Sequence, residues 1–561
     1  MRPRAVKAPT GTTPAPACKT LTAPPRHVTL DFMGRIPGRR ESGVFRGVDD
    51  FGVRPVEEQI LSPTSSAAGT SEHFDVLIVG AGISGIGAAW HLQHHCASKS
   101  FVVLESLADF GGTWRTHRYP GIRSDSDLFT FGYGFKPWTG PPIASGAEIL
   151  KYLGEVISEN GIAPHIRYRH TIQSADWSSE ARCWRIAATR IGADGGPESV
   201  EITANFLWMC QGYYRHCEGY TPQWRGMDRF QGRVVHPQNW PDDLDLEGKK
   251  VVVIGSGATA ATLIPAIASQ CEHVTMLQRS PTFFNSVRNA NALADILRQL
   301  DIPAEWTHEI VRRKVVFDQA AFTRRCVAEP EAARHDLLKG VRAALGPGFD
   351  DVVEKHFNPR YRPWQQRIAY VPDGDLFNSV REGNASVVTD EIEGFDAHGI
   401  RLKSGDVLEA DVVVTATGFN LSVLGDIRFQ VDGQPLNFAD SIAWRGTMFT
   451  ETPNMAWVFG YFRASWTLRA DLVSALICRL LNRMDALGAQ VVVPVLRAQD
   501  QGMALKPWVD PENFNPGYLA RSLALLPRQG SRAPWLHEQD YSIEKIAMPF
   551  ADLDNGTLAY R

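Results

Sequence analysis

Two short apolar runs, each followed by a glycine-rich loop and then by apolar residues at helical spacing, dominate the hydrophobic pattern of the chain. The first run, Phe74 to Gly80, leads into the loop GAGISG, and the second, Lys249 to Gly255, leads into GSGATA. A continuous apolar run of this length is typical of a buried parallel strand. The pattern therefore predicts two strand–turn–helix units and an α/β fold with two Rossmann-like dinucleotide-binding domains.

The three glycines of the first loop meet three different physical requirements. Gly80 permits the tight turn, Gly82 lets a pyrophosphate approach the backbone, and Gly85 lets the helix pack closely on the strand. The next apolar run, SFVVLE, ends at Glu105, where a carboxylate can accept hydrogen bonds from an unphosphorylated ribose. We therefore expect FAD or NAD at this site, with its phosphates at the N-terminus of the helix.

The second loop differs from the first where the ribose would lie. The apolar run after it ends without an acid, at Arg279 and Ser280, and a guanidinium beside a hydroxyl suits a 2′-phosphate. This site is therefore expected to prefer NADP. Its predicted contact residues are Gly255, Ser256, Gly257, Ala258, Thr259, Ala260, Ala261, Arg279 and Ser280. NADPH reducing FAD is ordinary hydride chemistry, whereas two nicotinamides have little to exchange, so the pair of sites indicates an NADPH-dependent flavoprotein.

Composition and charge narrow the remaining classes of protein. The chain has 561 residues, 44% hydrophobic and 21% charged, with a formal net charge of -4, so no basic excess indicates a nucleic-acid partner. No apolar run approaches the roughly 18–20 residues of a membrane span. The eight cysteines include no CxxC pair, which argues against a dithiol flavin reductase and favours a reducing, cytoplasmic location. No metal site is predicted.

The chain is expected to divide into four parts. Residues 1–72, rich in Pro, Thr and Ala, are predicted to be a disordered N-terminal extension, with a targeting peptide as the alternative. We expect the first part of the FAD-binding domain over 73–220 and the NADP-binding domain over 221–377, with a helical insertion at about 285–350. Residues 378–561 are expected to complete the FAD-binding domain and the C-terminal region. Within them, LVSALICRLLNRM is predicted to be a core helix in preference to a membrane-surface helix.

The stretch FQGRVVHPQNWP fits FxGxxxHxxxWP, the fingerprint of Baeyer–Villiger monooxygenases, through Phe230, Gly232, His236 and Trp240. GGTWRTHRYPG, RSDSD and DVVVTATGF agree with it. From about residue 73 to residue 545 the chain resembles the ethionamide-activating branch of these flavin monooxygenases. The resemblance implies that NADPH reduces FAD, that O2 then forms a C4a-peroxyflavin, and that a small ketone becomes an ester or lactone. Oxidation of a sulfur-containing substrate is a related expectation.

The resemblance also assigns roles to individual residues. Arg367 is the expected catalytic cation, which remains charged at any working pH, and Asp125 is the acidic partner that holds it near the flavin. The fingerprint lies on the link between the two domains, so His236 is expected to couple NADP binding to domain movement and not to act as a base. Arg123 and Ser124 are expected on the nicotinamide side. The expected flavin contacts are Ser84, Gly112, Thr113, Trp114, Arg115, Thr116, Asp125 and Ile172.

Two other functions remain open at this point. An N- or S-hydroxylating flavin monooxygenase would share both loops, although these enzymes typically carry Phe or Tyr where this chain has Trp240. A flavin redox sensor or NADPH oxidase would turn over only to peroxide. The sequence does not indicate an oligomeric state.

Overall fold

The first strand, Glu72–Val79, begins two residues before the apolar run that predicted it. The structure is a computed structural model, which describes residues 72–192 and 194–561. The N-terminal extension expected over 1–72 lies outside these residues except for Glu72. Since Glu72 already belongs to the strand, the predicted end of the extension is corrected by one residue.

Over the described residues the first sheet has nine strands, and one of its interior strands leads into the first glycine-rich loop. Glu72–Val79 pairs in parallel with Phe101–Leu104 on one side and with Pro197–Met209 on the other. Val79 is level with Leu104 and Met209, so Gly80 starts the loop at the edge where these parallel strands end. The spatial order is Gln434–Pro435, Arg428–Val431, His170–Ser178, Cys183–Ile191, Pro197–Met209, Glu72–Val79, Phe101–Leu104 and Ile166–Arg167, with Met455–Trp457 also on Pro197–Met209.

The second sheet has five strands and repeats this plan around the second loop. Lys250–Ile254 lies between His273–Gln278 and Val412–Thr415, and all three run parallel. The outer strands are Ala385–Thr389 and Arg233–Val235. The predicted α/β fold with two Rossmann-like domains is therefore confirmed.

The predicted boundary between residues 377 and 378 is wrong. Ala385–Thr389 pairs with His273–Gln278, and Val412–Thr415 pairs with Lys250–Ile254, so both strands belong to the second sheet. The run DVVVTATGF supplies Val412–Thr415, a buried strand of the second sheet, and the chain returns to the first sheet directly after it. A short apolar strand carries no local mark of the sheet that it joins, because pairing partners are set by tertiary contacts.

The two crossings between the sheets lie side by side. Tyr214–Gly219 follows the last long strand of the first sheet, and Phe419–Leu421 follows the last strand of the second. These two segments pair in antiparallel fashion. The chain therefore passes between its two nucleotide-binding halves through one two-stranded link.

The helical insertion lies between the strands Phe284–Val287 and Ala369–Pro372, as the sequence predicted, and extends slightly beyond residue 350. Its helices are Ala292–Gln299, Ala304–Ala328, Pro330–Leu345 and Asp350–His356. Arg312 of the second helix is buried and donates hydrogen bonds to the carbonyls of Phe129 (2.9 Å) and Gly132 (2.8 Å). This contact fastens the insertion to the first half of the molecule.

The helix Trp466–Leu487 contains the stretch LVSALICRLLNRM, and its apolar residues are buried in the core against helix Ile83–His95. The prediction of a core helix is confirmed. Over the described ranges, no helix is both long and apolar enough to cross a membrane. Further helices are Thr113–Thr116, Leu128–Phe131, Gly146–Glu159, Ala258–Ile267, Asp375–Arg381, Gly517–Ser522 and Tyr541–Ala547. Further strands are Ile392–Phe395, Gly399–Leu402, Val407–Glu409, Ala443–Trp444, Met448–Phe449, Val492–Pro494, Lys506–Pro507, Arg528–Gln529 and Leu558–Tyr560.

Candidate active site

A cavity of about 1360 Å³ extends between the two glycine-rich loops. Pockets for one drug-sized ligand usually measure about 300–1,000 Å³, so this cavity is larger than a single small ligand requires. The predicted residues that line it are Gly80, Gly82, Ser84, Glu105, Gly112, Thr113, Trp114, Arg115, Thr116, Arg123, Ser124, Asp125, Ile172, Trp240, Gly257, Ala258, Thr259 and Arg367.

The glycines of the first loop are required by the backbone around them. Gly80 has φ of +96°, a left-handed value that other residues rarely adopt. A Cβ on Gly85 would lie 1.8 Å from the carbonyl oxygen of Gly80, so only glycine lets the helix approach the turn. A Cβ on Gly82 would meet only Gly112, at 3.6 Å. Gly82 and Gly112 therefore present bare backbone to the cavity, which a phosphate can approach closely.

Glu105 lies beside the start of this loop. Its carboxylate accepts hydrogen bonds from the N–H of Ala81 (2.7 Å) and the N–H of Leu107 (2.8 Å) and is only 4% exposed. Burial raises the pKa of Glu105, and the backbone hydrogen bonds oppose that rise. The acid predicted to bind a ribose is thus held rigidly at the cavity wall.

The segment expected beside the flavin forms a single helical turn, Thr113–Thr116. The guanidinium of Arg115 pairs with Asp109, and Thr116 donates to the carbonyl of Gly112 (3.1 Å). Ser84 accepts a hydrogen bond from the indole of Trp466 (2.7 Å), which ties the first loop to the long core helix.

The second loop has the same design. Gly255 has φ of +125°, and a Cβ there would lie 2.3 Å from the carbonyl oxygen of Ala416. Gly257 faces open space, because a Cβ there would have no atom of the described residues within 4 Å. Ala260 and Ala261 are fully buried in the core beneath the loop and do not line the cavity. Ser256 was predicted as a contact but does not line the cavity. It is hydrogen-bonded to Thr282 (2.8 Å), which was not predicted and does line the cavity.

Arg279 and Ser280 are exposed and do not line this cavity. They follow the strand His273–Gln278, at the same edge of the sheet as Gly255 and Gly257. Their predicted contact with a 2′-phosphate is therefore compatible with their position and stays a prediction.

Arg123 and Ser124 lie in the cavity wall, where the resemblance puts the nicotinamide side. The guanidinium of Arg123 is engaged with Asp375 of the other half (Nη1 to Oδ2, 2.5 Å). Ser124 donates to the carbonyl of Ser126 (3.0 Å) and is buried. In this arrangement Arg123 joins the two halves of the molecule.

Arg367 and Asp125, which are distant in sequence, form an ion pair in the cavity. Nη2 of Arg367 lies 3.1 Å from Oδ1 and 3.0 Å from Oδ2 of Asp125, while Nη1 forms no hydrogen bond with any described residue. The carboxylate raises the pKa of the Arg367 guanidinium above its usual value, and burial acts in the opposite direction. The structure thus presents a permanent cation to the cavity, held from one side by an acid.

Three fingerprint residues have packing roles and one lines the cavity. Phe230 packs edge-on against Phe395, with ring centroids 5.9 Å apart. A Cβ on Gly232 would lie 2.2 Å from the carbonyl oxygen of Asp411, so this position excludes a side chain. Trp240 lies in the cavity wall.

His236 joins both strands of the two-stranded link. Its Nδ1 accepts from the N–H of Gln238 (3.1 Å), and its Nε2 donates to the carbonyl of Gly418 (3.1 Å). A Cβ on Gly219 would lie 2.0 Å from the imidazole, so the ring packs directly on the other strand. Burial lowers the pKa of His236, which agrees with a neutral ring that has one acceptor and one donor nitrogen.

Three tyrosines beside Arg367 were not predicted. Tyr213, Tyr214 and Tyr518 all line the cavity, and the hydroxyl of Tyr213 donates to that of Tyr214 (2.8 Å). The paired tyrosines stand just after the first sheet, and Tyr518 lies in a C-terminal helix. Their common surroundings depend on tertiary contacts. The only signal in the sequence is their occurrence in the motifs QGYYRH and NPGYL.

Comparison with known proteins supports this description of the chain. A family model described as NAD(P)-binding Rossmann-like domain matches residues 78–148, and one described as flavin-binding monooxygenase-like matches residues 138–293. Among solved structures, an oxidized steroid monooxygenase bound to NADP has a TM-score of 0.68 at 22% identity, covering 87% of this chain and 99% of that one. This last similarity shows the shared fold.

Similarity in sequence is greater with two mycobacterial enzymes. The FAD-containing monooxygenase EthA of Mycolicibacterium smegmatis is 46% identical over 494 residues, which cover 87% of this chain and 97% of that protein. EthA of Mycobacterium tuberculosis is 47% identical over 473 residues, 84% of this chain and 94% of its own length. The chain therefore belongs to the family of FAD-containing monooxygenases that includes EthA.

Proposed function

We propose that this protein is an NADPH- and O2-dependent FAD monooxygenase that converts ketones to esters or lactones and also oxidises sulfur in thioamides or sulfides. The observation that carries this proposal is the ion pair of Arg367 and Asp125 in a cavity lined by both dinucleotide loops. A cation held in this way suits a reaction in which negative charge develops on a substrate oxygen.

The cavity residues fit the two cofactors. The bare backbone at Gly82 and Gly112 suits the pyrophosphate of FAD, and the buried Glu105 suits its ribose. The open space at Gly257 suits the phosphates of NADPH. When bound, FAD accepts reducing equivalents from NADPH and activates O2 for transfer to the substrate.

Arg367 is assigned to stabilise the substrate during oxygen insertion. As oxygen is inserted beside a carbonyl group, the carbonyl oxygen becomes negative, and the free Nη1 of Arg367 can donate a hydrogen bond to it. Asp125 occupies Nη2 and so fixes which side of the guanidinium faces the cavity. Sulfur oxidation develops no such oxyanion and therefore depends less on this cation.

His236 is assigned to the joint between the two halves and not to catalysis. Both of its ring nitrogens are already used in hydrogen bonds that hold the two-stranded link. Movement of one half against the other would change these contacts, which suits a residue that couples NADPH binding to domain position.

An oxygen-labelling experiment tests the proposal. The enzyme, NADPH and ¹⁸O2 are incubated with a panel of ketones, sulfides and tertiary amines, and the products are analysed by mass spectrometry. One labelled oxygen in an ester or lactone is the expected result. Label only in an N-oxide or S-oxide would indicate a hydroxylating flavin monooxygenase, and unlabelled substrates with peroxide alone would indicate an NADPH oxidase or redox sensor.

A further inference from the structure

The cavity wall around Arg367 has more hydrogen-bond donors than acceptors. Neither Nη1 nor Nε of Arg367 bonds to a described residue, and Nε is buried. The hydroxyl of Tyr518 is also buried, with no partner in the part of the chain that the structure describes. Tyr214 accepts a hydrogen bond from Tyr213, and its ring lies beside that of Tyr518. Unpaired buried donors are costly, so this arrangement calls for a ligand that supplies oxygen acceptors.

The phenol groups are close enough to act together. The rings of Tyr213 and Tyr214 have centroids 4.2 Å apart, and that of Tyr518 lies 5.9 Å from Tyr214. Tyr213 also stacks on Trp466 at 5.2 Å, which fixes the cluster against the core helix. Burial raises the pKa of all three hydroxyls, so they stay protonated and act as donors over the whole working range.

Hydrogen bonds between two backbone segments fix the position of Tyr518 relative to Arg367. The N–H of Asn515 donates to the carbonyl of Gln365 (2.9 Å), and Arg362 donates to the side chain of Asn513 (2.8 Å). The segment before Tyr518 is thus fastened to the segment before Arg367. Donors fixed in advance stabilise developing charge without the cost of reorganisation.

We propose that Tyr518, with Tyr214 beside it, binds the carbonyl oxygen of the ketone and completes with Arg367 a subsite for the oxyanion that develops there. This inference rests on the proposed function and adds to it a specificity-determining residue for carbonyl substrates. Sulfides carry no carbonyl oxygen, so their oxidation does not use this subsite.

The test compares wild type with Tyr518→Phe, using phenylacetone as the ketone and thioanisole as the sulfide. Tyr518→Phe should lower kcat for phenylacetone about 10- to 100-fold, the range for loss of a hydrogen bond to a charged group, and change thioanisole oxidation less than about 3-fold. Bleaching of the flavin by NADPH without oxygen should be unchanged. Tyr361→Phe is the matched control, since it removes another buried phenol that has no partner among the described residues and does not line the cavity, and should leave all three rates unchanged.

Normal phenylacetone turnover by Tyr518→Phe would overturn the inference, and so would equal losses for both substrates, which would indicate a structural role. If the wild type forms no ester, the proposed function fails. Calorimetric binding of phenylacetone to the FAD-loaded enzyme without NADPH then decides the matter: weaker binding by Tyr518→Phe supports the subsite, and equal binding refutes it. If Tyr518→Phe loses its flavin, Tyr214→Phe is judged by the same criteria.

Discussion

Replacing Asp125 by Asn tests whether the acid holds and charges the arginine as the structure indicates. Asn has nearly the shape of Asp and keeps one oxygen acceptor, but it removes the negative charge. We expect Arg367 to stay in the cavity with a less fixed orientation, because its Nη2 loses one of two acceptors at 3.1 and 3.0 Å.

The size of the effect follows from the geometry and exposure of the pair. A hydrogen bond between charged groups contributes about 1.5–3 kcal/mol net. Both contacts use one nitrogen and so lack the two-nitrogen fork of the strongest pairs. The side chain of Arg367 is 38% exposed and that of Asp125 is 17% exposed, so water screens part of the attraction. We therefore expect a loss of about 1–2 kcal/mol, which corresponds to ester formation about 5- to 30-fold slower.

The assay separates reduction from oxygen transfer. Anaerobic stopped-flow absorbance gives the rate of flavin reduction by NADPH, which should be unchanged, and gas chromatography gives the rate of ester formation, which should fall. Asp554→Asn, which breaks an exposed ion pair with Arg483 (2.9 Å), is the matched control and should alter neither rate. Ester formation by Asp125→Asn at the wild-type rate would show that Asp125 is not needed to orient Arg367.

Three further outcomes are expected. Arg279→Ala should raise KM for NADPH about tenfold and leave KM for NADH unchanged, as measured by flavin bleaching; equal effects on both nucleotides would rule out a 2′-phosphate contact. Gly82→Ala should fold normally, because the new methyl meets only Gly112 at 3.6 Å, but should purify with little FAD; full flavin content would contradict the assigned phosphate contact at Gly82. Burial lowers the pKa of His308 to about 4. Between about pH 6.5 and pH 4 the unfolded chain therefore binds a proton at this histidine that the native state does not bind, and the free energy of unfolding decreases as the pH is lowered. Urea unfolding should show wild type losing about 2 kcal/mol more than His308→Gln between pH 7.5 and pH 5; identical losses would show that His308 takes up its proton in the native state.

The parts of the site that local backbone geometry determines could be predicted from the sequence. A glycine at Gly80 or Gly85 is required by a positive φ or by a Cβ contact within one turn, so its function can be recognised from the spacing of neighbouring residues. The pairing of Arg367 with Asp125 spans 242 residues and was expected only through resemblance to a family.

Features that arise from tertiary contacts could not be predicted. Val412–Thr415 is an apolar strand that would suit either sheet, and only its pairing with Lys250–Ile254 assigns it to the second. Tyr518 joins Tyr213 through contacts across the whole chain, for which the sequence has no periodic signal. The ion pair between Arg123 and Asp375 likewise joins residues that are distant in sequence, so it could not be predicted.

Arg367→Ala in a single-turnover experiment shows whether ester formation needs the cation. The flavin is reduced with NADPH under anaerobic conditions, oxygen and phenylacetone are added, and ester is quantified. We expect reduction at the wild-type rate and almost no ester, because the cation that stabilises the oxyanion is gone. Ester formed by Arg367→Ala at the wild-type rate would show that Arg367 does not stabilise the reacting oxygen.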